Sequence, residues 1–103
     1  MAILSKQRTP KGFAEYWVMG RVDVAPFAKT ANVILFGFPD KSFADEMGAI
    51  PMETVEVSVM PDRYDEYFSS GDTVENAYRL FFENVIEGAT TYDFRQGEGL
   101  NGK

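Results

Sequence analysis

The chain has 103 residues, with ten lysines and arginines against sixteen aspartates and glutamates, which gives a formal net charge of −6. It contains no histidine and no cysteine, which excludes disulfides, thiolate metal sites and the side chains most often used as general base or nucleophile. Hydrophobic residues make up 45% of the chain and aromatic residues 15%, which is enough apolar surface for a single folded domain over residues 1–103.

The two ends of this domain are predicted to be flexible. Residues 1–12 mix Ser, Lys, Gln, Arg and Thr with a Pro-Lys-Gly turn, which is typical of a mobile arm ahead of a folded core at residues 13–94. The basic residues of this arm are Lys6, Arg8 and Lys11. Residues 95–103 are mainly glycine and polar residues and are predicted to form a flexible tail.

Two strands are predicted to follow the arm. Residues 13–24 alternate in character, which indicates a half-buried strand. One face of this strand carries Tyr16, Val18, Val22 and Val24, and the other carries Glu15, Trp17, Met19, Arg21 and Asp23. After a loop that contains Pro26, residues 31–38 are apolar on both faces and are predicted to form a central strand covered on both sides or nearly so.

The middle of the chain predicts a third strand between two short helices. Ser42 is predicted to cap a short helix that ends at Gly48. Residues 53–60 alternate strictly, with their valines inward and polar residues outward, and predict the strand. After Pro61, residues 62–70 place tyrosine and phenylalanine at helical spacing, which predicts a short helix under the sheet.

The last predicted helix begins at Asp72. Asp72 and Glu75 have the spacing of a capping box and precede an apolar stripe at helical spacing. The stripe consists of Val74, Ala77, Tyr78, Phe81, Phe82, Val85 and Ile86. Gly88 is predicted to end this helix, and residues 89–94 to add a short extended segment. Together these elements predict an α+β fold, an antiparallel meander of three to four strands with the C-terminal amphipathic helix packed on one face.

No motif in the sequence predicts a catalytic, cofactor or metal site. Asp62, Asp65 and Glu66 form the best acidic cluster, but they lack the ligand spacing of a calcium loop. Acids after a strand-ending proline also suit the first turn of a helix, whose dipole they complement, and we favour this interpretation. No glycine-rich stretch joins a strand to a helix as a phosphate site requires. We therefore predict a chain that is not an enzyme and uses no cofactor.

Trp17 and Met19 are the candidate partner-binding residues. They lie on the more polar face of their strand, and an aromatic residue beside a methionine on an exposed face is a common anchor for a protein partner. The alternative is that a helix covers this face, which would place both side chains in the core. The sequence leaves both interpretations open and favours the second.

The acidic residues are concentrated in the second half of the chain. Residues 53–93 carry ten acids against two arginines, which disfavours nucleic-acid binding because that affinity comes mainly from lysine and arginine. The simplest interpretation is a solvated surface. One alternative is an acidic modulator or inhibitor that binds a basic nucleic-acid-binding host protein. Another is a head-to-tail contact between the basic arm of one copy and the acidic face of the next.

Several segments resemble a group of small proteins encoded in phages and prophages, often near genes for virion structure. These segments are the polar start at residues 5–10, the strands at 15–18 and 33–38, and the late helix that contains residues 76–78 and runs to Gly88. Such proteins look like non-enzymatic virion or tail-region components, so the resemblance implies a structural or assembly role. We expect protein partners, including other copies of the chain, in the host cytoplasm or virion, and no membrane.

Overall fold

The structure, a computed structural model, describes residues 2–46, 48–86, 91–95 and 97–100. Its strands are β1 (Ala2–Thr9), β2 (Gly12–Ala25), β3 (Thr30–Phe38), β4 (Glu53–Val59), β5 (Val85–Ile86), β6 (Tyr92–Asp93) and β7 (Glu98–Leu100). Its helices are α1 (Lys41–Ala44), α2 (Pro61–Phe68) and α3 (Thr73–Glu83).

The four long strands form an antiparallel meander. They lie in the order β4, β3, β2, β1, and β7 pairs with the start of β1 as a short fifth strand. β5 and β6 form a separate two-stranded pair. Helix α3 contacts β2, and α2 contacts both α3 and β3. The predicted α+β fold, a meander with its C-terminal helix packed on the sheet, is therefore confirmed.

The prediction of a flexible basic arm is wrong, because residues 2–9 form β1. Ile3 is fully buried in the core, whereas Lys6 and Arg8 are exposed. Lys6 and Arg8 thus lie on the solvent-exposed face of a strand. Composition alone does not distinguish such a strand from a disordered segment. Because Lys6 and Arg8 belong to a paired strand, the alternative of a head-to-tail contact through a free basic arm is not supported.

The prediction of a flexible tail is wrong for the end of the described chain. Residues 98–100 form β7, antiparallel to β1, with Ala2 opposite Leu100. The N–H of Gly97 donates to the carbonyl of Phe94 at 2.9 Å, which turns the chain from the core towards β7. Residues 96 and 101–103 of the predicted tail lie outside the described residues.

Strand β2 contains one extra residue relative to β3. Met19 lies opposite Leu35, whereas Arg21 lies opposite Ile34, so Gly20 forms a β-bulge. Because side chains alternate between the two faces of a strand, an unpaired extra residue exchanges the faces for all that follow it. Glycine in a strand interior is a common sign of such a bulge.

The bulge decides which residues of β2 face the core. The side chains of β2 in or against the core cluster are Ala14, Trp17, Met19, Val22 and Val24. Tyr16 and Val18 lie on the other face, opposite Phe38 and Phe36. The predicted grouping of Tyr16 and Val18 with Val22 and Val24 is therefore wrong. The sequence continues its regular alternation through Gly20, whereas the bulge at Gly20 interrupts the alternation of side chains between the two faces.

Helix α3 begins where the sequence predicts. Asp72 is its N-cap, and the Asp72 carboxylate accepts the N–H of Glu75 at 2.9 Å. The helix ends at Glu83, earlier than predicted, because residues 85–86 pair with β6 as a strand. The predicted stop at Gly88 lies outside the described residues.

The two shorter helices also occur near their predicted positions. α2 buries Tyr64 and Tyr67, as the aromatic spacing predicts. α1 is capped by Asp40 rather than by Ser42, since the Asp40 carboxylate accepts the N–H of Phe43 at 3.2 Å. The Ser42 hydroxyl donates to the same carboxylate, which helps to hold the pKa of Asp40 below its usual value.

Trp17 lies at the centre of the core. Its side chain is fully buried, and its Nε1 donates to the carbonyl of Ser5 at 2.8 Å. Phe94 and Tyr92 pack edge-on against the indole, with ring centroids at 4.9 and 5.6 Å. Phe81 of α3 meets Phe94 edge-on at 5.8 Å. The segment around Phe94, predicted only as a short extended addition, therefore joins the sheet to α3.

Two glycines leave room for aromatic rings on opposite faces of the sheet. A Cβ added to Gly37 would lie 2.5 Å from the Trp17 indole, and a Cβ added to Gly20 would lie 2.5 Å from the Phe36 ring. The indole is buried, whereas the Phe36 ring is partly exposed. Gly37 thus makes room for a tightly packed ring on one face, and Gly20 makes room for a partly exposed ring on the other.

We expect Gly37→Ala to lower the free energy of unfolding by about 1–3 kcal/mol, because the buried indole has no space into which to move. Gly20→Ala is the matched control and should cost less, since the Phe36 ring can swing towards water. Urea unfolding of the two variants measures both values. Equal losses, or a larger loss for Gly20→Ala, would contradict this assignment of the faces.

Candidate interaction surface

The structure does not leave Trp17 and Met19 available to a partner. Trp17 has no exposed surface, and Met19 is half-buried and packs against the core. Phe94 and α3 lie over this face of β2. The structure supports the alternative interpretation, that a helix covers the face, because the Trp17 side chain has no surface at which a partner could contact it.

A buried hydroxyl fastens α3 to β2 beside the bulge. The N–H of Met19 donates to the Tyr78 hydroxyl at 2.7 Å. Burial raises the pKa of Tyr78, although the hydrogen bond from Met19 acts in the opposite direction. The hydroxyl therefore stays neutral in the folded chain at ordinary pH and acts as an acceptor for this backbone donor.

We expect Tyr78→Phe to cost about 1 kcal/mol of stability, because it removes the acceptor of the Met19 N–H. Tyr64→Phe is the matched control, since the Tyr64 hydroxyl has no hydrogen bond to the residues that the structure describes. Guanidine unfolding near neutral pH compares them. A loss no larger in Tyr78→Phe than in the control would show that this hydrogen bond contributes nothing.

The raised pKa of Tyr78 also gives a pH dependence. The folded chain holds the phenolic proton more tightly than the unfolded chain, so the Tyr78 contribution to stability is lost as the pH rises above about 10. Wild-type stability should therefore fall more steeply in alkali than that of Tyr78→Phe. Parallel pH profiles of unfolding would contradict the raised pKa.

The acidic cluster predicted from the sequence consists of surface residues with basic neighbours. Asp65 lies 3.5 Å from Lys29 Nζ, and Glu66 lies 3.5 Å from Arg63 Nε. Asp62 occupies the first turn of α2. Exposed pairs of this kind contribute little to stability. In the described ranges, no three acidic side chains come close enough together to hold a metal ion.

An apolar surface lies on the face of the sheet opposite α2 and α3, and we call it the outer face. Its residues, all outside the buried core cluster, are Leu4, Tyr16, Val18, Ile34 and Phe36. Leu4 lies opposite Tyr16, and Val18 lies opposite Phe36, so these side chains are contiguous across three strands. Leu4 is 43% exposed, and the other four are half-buried.

The borders of the outer face differ at its two ends. Beyond Ile34 the surface becomes polar, with an Arg21–Asp23 ion pair at 2.7 Å. Near Tyr16, helix α1 contacts β3. Exposed Phe13 extends the apolar area along β2, with the Lys6 ammonium 4.7 Å from the centre of its ring. The apolar area is thus framed by charged side chains, as protein interfaces commonly are.

A groove runs between β4 and the C-terminal end of α3. It consists of two adjoining cavities of about 300 and 210 Å³. Both are lined by Val57, Ser58, Leu80 and Arg63. The Arg63 guanidinium donates to the hydroxyl of Tyr67 at 3.3 Å and to Asn84 Oδ1 at 3.2 Å, so it is already engaged within the fold. Glu56 and Asn84 line one cavity and Asp62 lines the other, so the groove offers polar as well as apolar contacts.

Comparison of the chain with protein-family models, with curated proteins and with solved structures gave no match. No helix among the described residues is long and apolar enough to cross a membrane. The outer face was not predicted from the sequence, because Val18 was grouped on one face with Val22 and Val24. The signal that identifies the outer face is Gly20 in the middle of the strand, where the bulge lies.

Proposed function

We propose that this chain is a non-enzymatic structural or assembly protein that acts through protein–protein contacts, including contacts with other copies of itself. The observation that carries the proposal is the outer face. Its side chains are contiguous, apolar and partly exposed, and they lie outside the core that the helices cover. A contiguous apolar patch with a polar rim is typical of an interaction site.

Burial of this surface would favour association. Each square ångström of apolar area removed from water contributes about 25 cal/mol before the costs of association are subtracted. Aromatic side chains are enriched at the energetic centres of interfaces, and Tyr16 and Phe36 lie in adjacent cross-strand pairs of the outer face. Leu4 and Phe13, which are 43% and 52% exposed, would be covered at its margin.

The resemblance to phage and prophage proteins of virion gene clusters supports an assembly role of this kind, in the host cytoplasm or in the virion. It leads to a separate expectation about the gene. Genes for capsid or tail proteins should flank the coding sequence, and genome sequence shows whether they do. A coding sequence that lies within a metabolic operon would contradict the phage origin.

The second hypothesis is an acidic modulator that binds a basic nucleic-acid-binding host protein. The exposed acids of α2 and α3 support it only weakly, since Lys29, Arg63 and Arg79 each lie within 4.0 Å of a carboxylate there. Such a complex should weaken steeply as salt rises. A partner whose affinity is independent of salt would exclude it.

We expect the wild-type chain to sediment as a discrete oligomer that persists at moderate salt, because its interface is apolar. Val18→Lys should weaken the association about tenfold or more, since it places a charge in the centre of the outer face. Val74→Lys is the matched control, because Val74 is 48% exposed on α3, away from this face. Sedimentation velocity over a wide range of concentrations measures all three.

Two results would contradict the proposal. One is a wild-type chain that remains monomeric at near-millimolar concentration. The other is an oligomer that Val18→Lys and Val74→Lys weaken equally, which would place the contact elsewhere on the molecule.

A further inference from the structure

Strand β4 forms one edge of the five-stranded sheet. Its seven residues pair with β3 in continuous register, from Val59 opposite Ala31 to Glu53 opposite Gly37. Among the described residues, no strand pairs with its other side. Proteins usually protect such edges with charged side chains, above all lysine, with proline or with a bulge. The sequence of β4, Glu-Thr-Val-Glu-Val-Ser-Val, has two glutamates but no lysine or proline, and its pairing with β3 has no bulge.

The open side of β4 presents main-chain hydrogen-bonding groups at alternate residues. The N–H of Thr54 donates to the carboxylate of Glu53 at 2.9 Å rather than to β3, which identifies Thr54 as one of the residues that face outward. Ladder hydrogen bonds alternate in direction along an antiparallel strand. The main-chain groups of Glu56 and Ser58 therefore face the same open side.

Space for another strand lies beside this edge. The groove of about 300 and 210 Å³ adjoins β4 on its helical side, where half-buried Val57 lies near Leu80. Ile86 of β5 lines its far wall. Apolar side chains that project from an added strand would enter this groove, while the added main chain would bond to the open edge.

The sequence of β4 is complementary to itself. Around Val57 it reads Val-Glu-Val-Ser-Val, so an antiparallel copy centred there places Val57 opposite Val57 and Val55 opposite Val59. Glu56 then lies opposite Ser58 of the second copy, a pairing without like charges. A register centred on Glu56 would instead place two glutamates directly opposite each other, which is unfavourable.

We propose that two copies of the chain join through antiparallel pairing of β4 with β4 about a two-fold axis at Val57, which merges their two five-stranded sheets into one. This inference rests on the proposed function, since it specifies one of the contacts through which the chain assembles. The contact is distinct from the outer face. A chain with two self-complementary surfaces assembles beyond a dimer, and removal of either surface leaves the other.

A single cysteine tests the axis directly, because the chain has no cysteine of its own. Directly opposite residues in a non-hydrogen-bonded pair lie about 4.5 Å apart at Cα, which is within the range of a disulfide. Val57→Cys should therefore form a disulfide-linked dimer under mild oxidation. Ser58→Cys is the matched control, since its neighbour across the axis is Glu56. Equal or faster cross-linking of Ser58→Cys would overturn the register.

Charge exchange tests the same register in solution, in a Val18→Lys background that removes the contribution of the outer face. Ser58→Glu should weaken the remaining dimer about tenfold, because a like-charge contact with Glu56 then occurs twice across the axis. Adding Glu56→Lys should restore the dimer, since the opposite charges then meet. Sedimentation velocity measures the dimer in each variant.

The two proposals fail in different ways. If wild-type assembly is lost in Val18→Lys and unaffected by Ser58→Glu, pairing through β4 is overturned and the outer face stands. If Val57→Cys cross-links but Val18→Lys behaves as wild type, the β4 contact stands and the outer face is overturned. A wild-type chain that is monomeric and does not cross-link through Val57→Cys overturns both.

Discussion

The packing of the Trp17 indole over Gly37 is the interaction on which the rest of the structure depends. The ring lies so close to Gly37 that a Cβ at this residue would be only 2.5 Å from it. Its other contacts are with Phe94 and Tyr92, and Phe94 in turn meets Phe81. One buried ring therefore links the middle of the sheet, the segment after β5 and the last helix. A small domain with no disulfide needs such a shared contact, because each element alone buries too little area to be stable.

This arrangement also determines where the molecule has surface to use. Once α2, α3 and the segment around Phe94 occupy one face, the part of the chain that the structure describes leaves the outer face largely uncovered, with α1 in contact with β3. Ile34 and Phe36 remain half-buried there, although β3 lies in the interior of the sheet. The free edge of β4 is a second consequence of the same topology, since the meander ends at that strand and the chain then turns into α2.

Short-range sequence patterns predicted the elements that depend on them, strand β4 and the start of helix α3. The valines of β4 alternate over its whole length, and Asp72 and Glu75 mark the start of α3, so both elements occur where expected. β1 was missed because Lys6 and Arg8 dominate its composition, while Ile3 alone supplies its large buried side chain. The role of Phe94 depends on contacts with residues far away in sequence, which no local pattern reveals.

The candidate surfaces were predicted less well than the fold for a related reason. Trp17 shares its predicted face with Glu15, Arg21 and Asp23, so the sequence indicates a solvent-exposed face, whereas α3 contacts β2 in the structure. A surface is defined by what remains uncovered after all elements have packed. A surface is therefore the hardest feature to deduce from sequence. Here the bulge at Gly20 determines which side chains of β2 face outward.

That bulge has a consequence for how β2 tolerates mutation. From Tyr16 to Met19, the odd-numbered residues such as Trp17 lie in the interior and the even-numbered ones such as Val18 lie on the surface. After the bulge, the parity inverts, and Val22 is interior while Asp23 is solvent-exposed. Apolar residues are therefore required at odd-numbered positions just before the bulge and at even-numbered positions after it. Deletion of Gly20 would move the interior side chains on one side of the bulge to the solvent-exposed face.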